Sequence, residues 1–284
     1  MKFDPSLPRD GINVSRTHPL REALLLVLGV VAVAAAITAT LAVAVDFAAP
    51  RIPTALETRL FSSWFSGEAE RDDQASPREQ ALATLLGRMA HHWPENPYAF
   101  QIAIWEESEA NAVALPGGVI AVTTGLLAKV GSENELAFVL GHELGHFRNR
   151  DHLRGLGRGL AFSLVLAAVG LSGSGSAAQL AAIAGQFTQR GFGREQESQA
   201  DRFGLELVMA EYGHTAGATD LFGHLAQPHD PLAGELSNYL STHPLHADRI
   251  DDLRAAARAA GWSLRGERRP LSGALGSAGE IASD

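Results

Sequence analysis

Residues 132–148 read SENELAFVLGHELGHFR and decide how the middle of the chain folds. Ser132, followed three residues later by Glu135, is typical of a capping box at the start of a helix. The apolar residues that follow recur at helical spacing. The sequence therefore predicts a helix over residues 133–148, whose two histidines, four residues apart, project from the same face.

The two histidines of this stretch, His142 and His146, enclose Glu143 in the pattern His-Glu-x-x-His. Imidazole nitrogens one helical turn apart can bind one zinc ion at about 2.0 to 2.1 Å. Glu143 lies about 100° around the helix from His142, where it can take a proton from the attacking water without binding the metal. Because the chain has no cysteine, its metal ligands must be nitrogen and oxygen. The pattern predicts one zinc ion per chain, with Glu143 as the catalytic base.

A catalytic zinc ion needs a third protein ligand, and His152 is one candidate. It stands six residues after His146, so the stretch comes within one residue of the metzincin pattern, in which Asn149 takes the place of a glycine. A metzincin also has a methionine turn beneath the metal. The only later methionine, Met209, lies in a helical pattern, which counts against His152.

Glu197 is the second candidate, and we expect it to be the ligand. It lies in a segment of helical periodicity, with Asp201 four residues later on the same face. Glu197 can then reach the zinc ion while Asp201 accepts the N–H of a ligand histidine and fixes the orientation of its ring. The predicted metal ligands are thus His142, His146 and Glu197, and His152 remains an alternative to Glu197.

The N-terminal part of the chain differs from the rest because residues 23–45 carry no charge. A helix of this length extends about 34 Å at ~1.5 Å per residue and crosses a hydrocarbon core of roughly 30 Å. The basic residues that precede it are Lys2, Arg9, Arg16 and Arg21. We expect an uncleaved single-pass anchor in a bacterial inner membrane, with residues 1–22 in the cytoplasm and the catalytic domain in the periplasm. A cleaved signal peptide is the alternative.

After the anchor, the composition divides the chain into three parts. Residues 46–76 contain two prolines and a polar cluster and are predicted to be a linker. Residues 77–265 are expected to form an α+β metallopeptidase domain, mostly helical and zincin-like, with a small antiparallel sheet. The predicted strands are 98–105, 111–115 and 119–123. Residues 266–284, rich in glycine, alanine and serine, are predicted to be a disordered tail.

These motifs together resemble the integral-membrane zinc metallopeptidases that include HtpX, the CAAX prenyl protease and the mitochondrial OMA-type protease. The resemblance covers residues 98–250 and rests on four elements, which are residues 111–118, 142–146, 197–201 and 241–244, the last followed by Arg249 and Ile250. The third element matches the family's Glu-x-x-x-Asp helix, so the resemblance also implies that Glu197 is a metal ligand.

The resemblance implies further roles for residues outside the metal motif. An edge strand that pairs with extended substrate would consist of Asn111, Ala112, Val113 and Ala114. His243 would lie near the metal and hold the substrate or the developing oxyanion, although a plain helix start with Pro244 at its first position explains the same residues. Residues 159–189 carry no charge, and some relatives span the membrane here. We expect a helical hairpin that dips into the membrane or lies on it.

The motifs and the resemblance predict a membrane-anchored zinc endopeptidase that hydrolyses unfolded or damaged envelope or membrane proteins. Its partners would be polypeptide substrates and the lipid bilayer. The net charge of −9 gives no positive surface for phosphate backbones, so no nucleic acid is expected. The rival function is a chaperone or binding module without proteolysis, in which His243 or His246 closes the fourth position of a structural zinc site. The sequence does not indicate an oligomeric state.

Overall fold

The structure is a computed structural model, and it describes residues 18–69, 75–170, 192–225, 239, 242–244 and 248–276. The elements outside the catalytic domain are α1 (Pro19–Ala48), a short 3-10 turn (Ala49–Arg51) and α2 (Thr54–Ala69). The elements that follow are α3 (Pro77–His91), β1 (Gln101–Trp105), β2 (Ala112–Leu115), β3 (Val119–Thr123), α4 (Thr124–Leu127), α5 (Glu133–Arg148), α6 (Asp151–Ala168), α7 (Arg194–Tyr212), α8 (Asp220–Leu225), α9 (Arg249–Ala259) and α10 (Gly273–Gly276).

Helix α1 is the only helix in the described part of the chain that is long and apolar enough to cross a membrane. It contains no buried residue, and its leucines and valines are exposed along most of its length. A surface of this kind is stable in lipid and unfavourable in water. The predicted anchor, residues 23–45, lies entirely within this helix.

The small sheet has the strand order β1-β3-β2, and it is mixed. Strands β2 and β3 pair antiparallel, whereas β1 and β3 pair parallel. The α+β class is confirmed, but the sheet is not wholly antiparallel as expected. The reason is that β3 lies between the first two strands, so β1 and β2 are not neighbours despite following one another in sequence. Strand β2 is left at the edge of this sheet.

Helix α5 is the centre of the domain and packs most extensively on α7. The two backbones approach closely at glycines within the His-Glu-x-x-His helix. A Cβ atom at Gly145 would lie 2.6 Å from Cα of Ala200, and one at Gly141 would lie 3.0 Å from Cα of Gly204. Glycine at both positions therefore lets α7 lie directly against the histidine-bearing helix, which positions the site.

The segment 46–76, expected to be a linker, contains helix α2. Its two prolines, Pro50 and Pro53, precede the helix, where proline does not break the hydrogen-bond pattern. Glu57 on this helix is fully buried, so the segment packs on the domain.

The described part of the predicted tail, residues 266–276, also packs on the domain. The backbone N–H of Glu133 donates to the carbonyl of Arg269 at 2.8 Å, and Leu275 is buried in the core cluster that includes α3. An apolar side chain seated in the core explains why this glycine-rich stretch is ordered. Residues 277–284 lie outside the described residues.

Helix α6 runs from the catalytic domain along the side of α1. A Cβ atom at Gly157 would lie 2.7 Å from Val45, and Arg158 forms an ion pair with Asp46 at 2.6 Å. Beyond this point α6 exposes Leu160, Leu164 and Val169. The first part of the uncharged stretch 159–189 therefore continues the apolar surface of α1, and its residues 171–189 lie outside the described residues.

Candidate metal centre

Helix α5 begins and ends where the sequence predicts. Ser132 caps it by accepting a hydrogen bond from the backbone N–H of Glu135 at 3.3 Å. The carboxylate of Glu135 accepts from the N–H of Gly131 at 2.7 Å, one residue before the position that a full capping box would use. This start sets the helical phase that points His142 and His146 towards α7, and both side chains are fully buried.

Four side chains in this region could hold one metal ion together. They are His142, His146, Glu197 and His243. One ligand atom of each lies within 4.8 Å of the others, and the four side chains are at most 1% exposed. The structure thus brings the three predicted ligands into one cluster, from helices α5 and α7.

The distances within the cluster fit zinc. The Nε2 atoms of His142 and His146 lie 3.0 Å apart. Carboxylate oxygens of Glu197 lie 3.6 Å from His142 Nε2 and 3.5 Å from His146 Nε2. Tetrahedral bonds of about 2.0 to 2.1 Å place ligand atoms about 3.3 Å apart. One nitrogen-and-oxygen donor set of this size therefore suits a single zinc ion.

The second ring nitrogen of each ligand histidine bonds to a carboxylate. His142 Nδ1 donates to Asp201 at 2.9 Å, as expected from the spacing of Glu197 and Asp201. His146 Nδ1 donates to Asp151 at 3.0 Å. These bonds direct both Nε2 atoms towards the cluster and set the ring orientations. The role of Asp151 was not predicted, although it stands only five residues after His146.

Arg249, on α9, belongs to the late His-Pro element of the resemblance, which gave it no role. Its guanidinium donates to Asp201 at 2.6 and 2.7 Å and lies 2.9 Å from a carboxylate oxygen of Glu197. It thereby fixes Glu197 and Asp201 with one rigid planar group. The sequence held a weak signal, since Arg249 stands shortly after His243 and Pro244.

The electrostatics of the cluster favour a cation. Burial alone would raise the pKa of Glu197, but the neighbouring His243 and His142 hold it far below its ordinary range. Burial would likewise raise the pKa of Asp201, yet its hydrogen bonds from His142 and Arg249 lower it. Burial lowers the pKa of His142, whereas for His146 the bonds to Asp151 and Glu197 outweigh burial and raise the pKa to about 10. Both carboxylates are therefore ionised.

Glu143 lies beside the cluster and is fully buried. Neither of its carboxylate oxygens makes a hydrogen bond in the described part of the chain. Nε2 of His243 lies 3.5 Å from one of its oxygens. A buried carboxylate without hydrogen-bond donors is costly to the fold. Its position suits a group that receives a proton during a reaction.

His243 has two contacts with the cluster through its other ring nitrogen. Nδ1 lies 3.0 Å from His142 Nε2 and 3.2 Å from Glu197. The ring is therefore close enough to act as a fourth ligand as well as to contact a substrate. His246, the other residue considered for this position, lies outside the described residues.

His152 belongs to a different cluster. Its Nε2 donates to Glu57 of α2 at 2.9 Å, and its ring centroid lies 4.5 Å from that of Phe147, with the two rings tilted by 48°. The chain turns into α6 at Arg150, the N-cap residue, whose backbone is left-handed. The structure does not bring His152 together with His142 and His146.

The predicted substrate strand lies next to the metal helix. Ala112, Val113 and Ala114 belong to β2, which packs against α5 on one side and has β3 as its partner on the other edge. Asn111 immediately precedes β2, and its side-chain oxygen accepts from the hydroxyl of Thr242 at 3.2 Å. The edge strand and the segment carrying His243 are thus in direct contact.

Comparison with known proteins supports a relation over most of the domain. The family model described as peptidase family M48 matches residues 76–257. The chain is 27% identical over 190 residues to Metalloprotease LoiP of Escherichia coli (strain K12), covering 66% of this chain and 72% of the relative. It is 31% identical over 195 residues to a Protease HtpX homolog of Desulfatibacillum aliphaticivorans, covering 56% and 63%.

A third relative extends the range to eukaryotes. The Mitochondrial metalloendopeptidase OMA1 of Arabidopsis thaliana is 33% identical over 149 residues, which are 51% of this chain and 29% of the relative. The chain therefore spans less than a third of that relative and about two thirds of the bacterial ones. The residues that the family model matches, 76–257, include His142, His146, Glu197 and His243, and also Asp151, Asp201 and Arg249. The chain belongs to peptidase family M48.

Proposed function

We propose that this protein is a membrane-anchored, zinc-dependent endopeptidase. The observation that carries the proposal is Glu143, a buried carboxylate that makes no hydrogen bond with the described residues. It lies 3.5 Å from His243 and beside three residues that fit a zinc ion. A binding module with a structural metal has no need for such a group. Membership in a peptidase family supports the same reaction.

The chemistry divides between the metal and the side chains. A zinc ion held by His142, His146 and Glu197 supplies Lewis-acid chemistry, since it polarises a carbonyl group and lowers the pKa of water. Glu143 takes the proton of the attacking water on a carboxylate oxygen and hands it to the leaving amine. Asp201 holds the ring of His142 in place throughout, because its bond to Nδ1 fixes the tautomer.

The substrate is proposed to be an extended polypeptide. Strand β2 is at the edge of its sheet and lies against α5, so it can pair with a substrate backbone by adding a strand. Such pairing reads main chain more than side chains and favours unfolded segments. Unfolded or damaged envelope and membrane proteins are the proposed substrates, and His243 is proposed to hold the substrate or the developing oxyanion.

The test combines metal analysis with proteolysis of the full chain. The purified protein should contain about one zinc per chain and cleave casein. Glu143→Gln should keep the zinc, because it leaves every ligand in place, and slow cleavage by roughly 10²- to 10⁴-fold, the contribution of a general base. Cleavage at the wild-type rate in this variant would contradict the mechanism.

A second function is favoured by the position of His243. With Nδ1 near both His142 and Glu197, it could close the fourth position of a structural zinc site. The same experiment separates the two functions. Stoichiometric zinc without cleavage of casein by the wild type would support the binding module, and cleavage that depends on Glu143 would support the enzyme.

The anchor is proposed to place the catalytic domain on the extracytoplasmic side of a bacterial inner membrane. Basic residues precede α1, and Asp46 follows it. Helix α6 extends the apolar surface of α1, which supports insertion of its exposed leucines beside the anchor. This arrangement keeps the metal cluster close to the membrane surface.

Reporter fusions test the orientation. Alkaline phosphatase fused after Asp46 should be active in a bacterial host, while green fluorescent protein at the same site should stay dark after export. The protein should remain with membranes after carbonate washing. The opposite reporter pattern would place the catalytic domain in the cytoplasm, and release of a soluble exported domain would indicate cleavage of the N-terminal segment.

A further inference from the structure

The helix that follows the membrane anchor carries a buried charge that the proposed mechanism does not use. Glu57, on α2, is 0% exposed. One carboxylate oxygen accepts from the N–H of Gly117 at 2.8 Å and from His152 Nε2 at 2.9 Å. The other accepts from the hydroxyl of Tyr98 at 2.9 Å and from the guanidinium of Arg150. Four donors from three parts of the domain therefore converge on one carboxylate.

One of these donors, Arg150, has an unusual backbone conformation. Arg150 has a φ angle of 60°, the only positive value at a non-glycine residue in the described part of the chain. This left-handed backbone carries a cost for any side chain with a Cβ. Its guanidinium bonds to Glu57 and also to the carbonyl of Ile52, just before α2. Arg150, at the junction between α5 and α6, thus binds both the residue just before α2 and the first turn of that helix.

Two of the donors lead to functional elements, one to the metal cluster and the other to the proposed substrate strand. His152 is the immediate neighbour of Asp151, the carboxylate that orients His146 through a bond of 3.0 Å. Gly117 lies in the turn between β2 and β3, so its bond to Glu57 holds the end of the proposed substrate strand. A displacement of Glu57 would therefore reach the ring of His146 by one route and strand β2 by the other.

We propose that Glu57 is a positioning residue, which couples the membrane-proximal helix α2 to the metal centre through His152 and Asp151 and to the substrate strand through Gly117. The inference rests on the proposed function. Its partners are matched in charge, since the ionised carboxylate faces Arg150 and three further donors. Burial alone would raise the pKa of Glu57. The hydrogen bond from His152 is the largest of the effects that oppose burial, and together they lower the pKa below its ordinary value.

The test uses the full-length, zinc-loaded protein in detergent and measures zinc release to a chelator, together with KM and kcat on a peptide. Glu57→Gln puts an amide where donors converge, so zinc should leave about tenfold faster, the lower range for loss of an outer partner of a ligand. KM should rise several-fold because the end of β2 is released. His152→Ala removes only the route to α6 and should speed zinc release while leaving KM unchanged.

Two controls separate positioning from a general loss of stability. Tyr98→Phe removes one hydrogen bond to Glu57 on the side away from Asp151, so it should lower the unfolding temperature without changing zinc release. Glu95→Gln changes an exposed glutamate before β1 and should behave as the wild type.

The inference is overturned if Glu57→Gln and His152→Ala both release zinc at the wild-type rate. It is also overturned if Tyr98→Phe speeds zinc release as much as Glu57→Gln does, because the effect would then follow stability alone. A wild type that holds zinc but cleaves no peptide would contradict the proposed function. The comparison of zinc release would still decide the role of Glu57 in that case.

Discussion

Two clusters in this protein each combine a carboxylate with histidine. The Glu57 cluster consists of Glu57 and its donors Tyr98, Gly117, Arg150 and His152, and the metal cluster consists of His142, His146, Glu197 and His243, with Glu143 beside it. They differ in whether their polar atoms have hydrogen-bond partners. Around Glu57 both carboxylate oxygens receive N–H or O–H donors. In the metal cluster the Nε2 atoms of His142 and His146 face each other at 3.0 Å, and the oxygens of Glu143 make no hydrogen bond in the described structure.

The difference indicates what each cluster is for. Buried polar groups that satisfy one another need no further ligand, and by this measure the carboxylate of Glu57 is complete, although Nδ1 of His152 has no hydrogen-bond partner in the described part of the chain. In the metal cluster, ring nitrogens and carboxylate oxygens converge at 3.0 to 3.6 Å beside Glu143, and a donor set of this kind is stabilised by a cation. His146 and His152 are only six residues apart, so the role of each is set by the neighbours it meets in space.

The largest expected effect is the loss of zinc from Glu197→Ala. A structural zinc site binds with about 10 to 16 kcal/mol, so removing one of three ligands should weaken zinc binding by roughly 10²- to 10³-fold or more. His152→Ala should keep about one zinc per chain, with at most a tenfold change in release. Metal analysis and competition with a chelator would measure both, and the reverse pattern would mean a metzincin-like site.

The next effect is on folding and should appear in the other cluster. Glu57→Ala leaves Arg150, whose side chain is only 12% exposed, without its carboxylate, and breaking a buried pair costs about 3 to 5 kcal/mol. Leu56→Ala, at a half-exposed neighbour on the same helix, should cost far less. Thermal unfolding of the full-length protein would compare them. Equal stability of the two variants would mean that α2 is not held by Glu57.

A smaller effect is expected from the supporting carboxylate of the metal cluster. Asp201→Asn keeps an acceptor for His142 but removes the charge paired with Arg249, so zinc affinity should fall by roughly 10- to 100-fold. Asp252→Asn changes an exposed aspartate on α9, the helix that carries Arg249. It is the matched control and should leave zinc affinity unaltered. Affinity unchanged in Asp201→Asn would show that Arg249 alone holds the ligand helix.

The smallest effect is the acid sensitivity of the Glu57 cluster. The pKa of Glu57 in the folded state lies below the ordinary value of 4.5, so folding favours the ionised form of this carboxylate. This contribution to stability is fully present above pH 4.5 and is lost as the pH falls through the folded-state pKa. The difference in unfolding temperature between the wild type and Glu57→Gln should therefore shrink below that pH. A constant difference would mean that charge is not the cause.

Much of the fold could be predicted because its signals are local. The phase of α5 follows from Ser132 and the apolar spacing after it, and the anchor follows from an uncharged run long enough to cross a bilayer. The sequence does not predict helix α2, because prolines within a segment are typical of a linker. Here both prolines precede the helix. The parallel pairing of β1 with β3 was missed because strand order depends on contacts between segments distant in sequence.

The sequence by itself determined the metal chemistry. His142, Glu143 and His146 are fixed on one helix by a spacing of four, so a zinc motif could be recognised before any fold was known. The tertiary structure brings Glu197, and not His152, to the two histidines, since packing of α7 on the glycines of α5 places Glu197 within 3.6 Å of both. It also decided the fate of Glu57, because a lone carboxylate after an anchor is indistinguishable from a solvated one until its donors, which come from residues far along the chain, are seen around it.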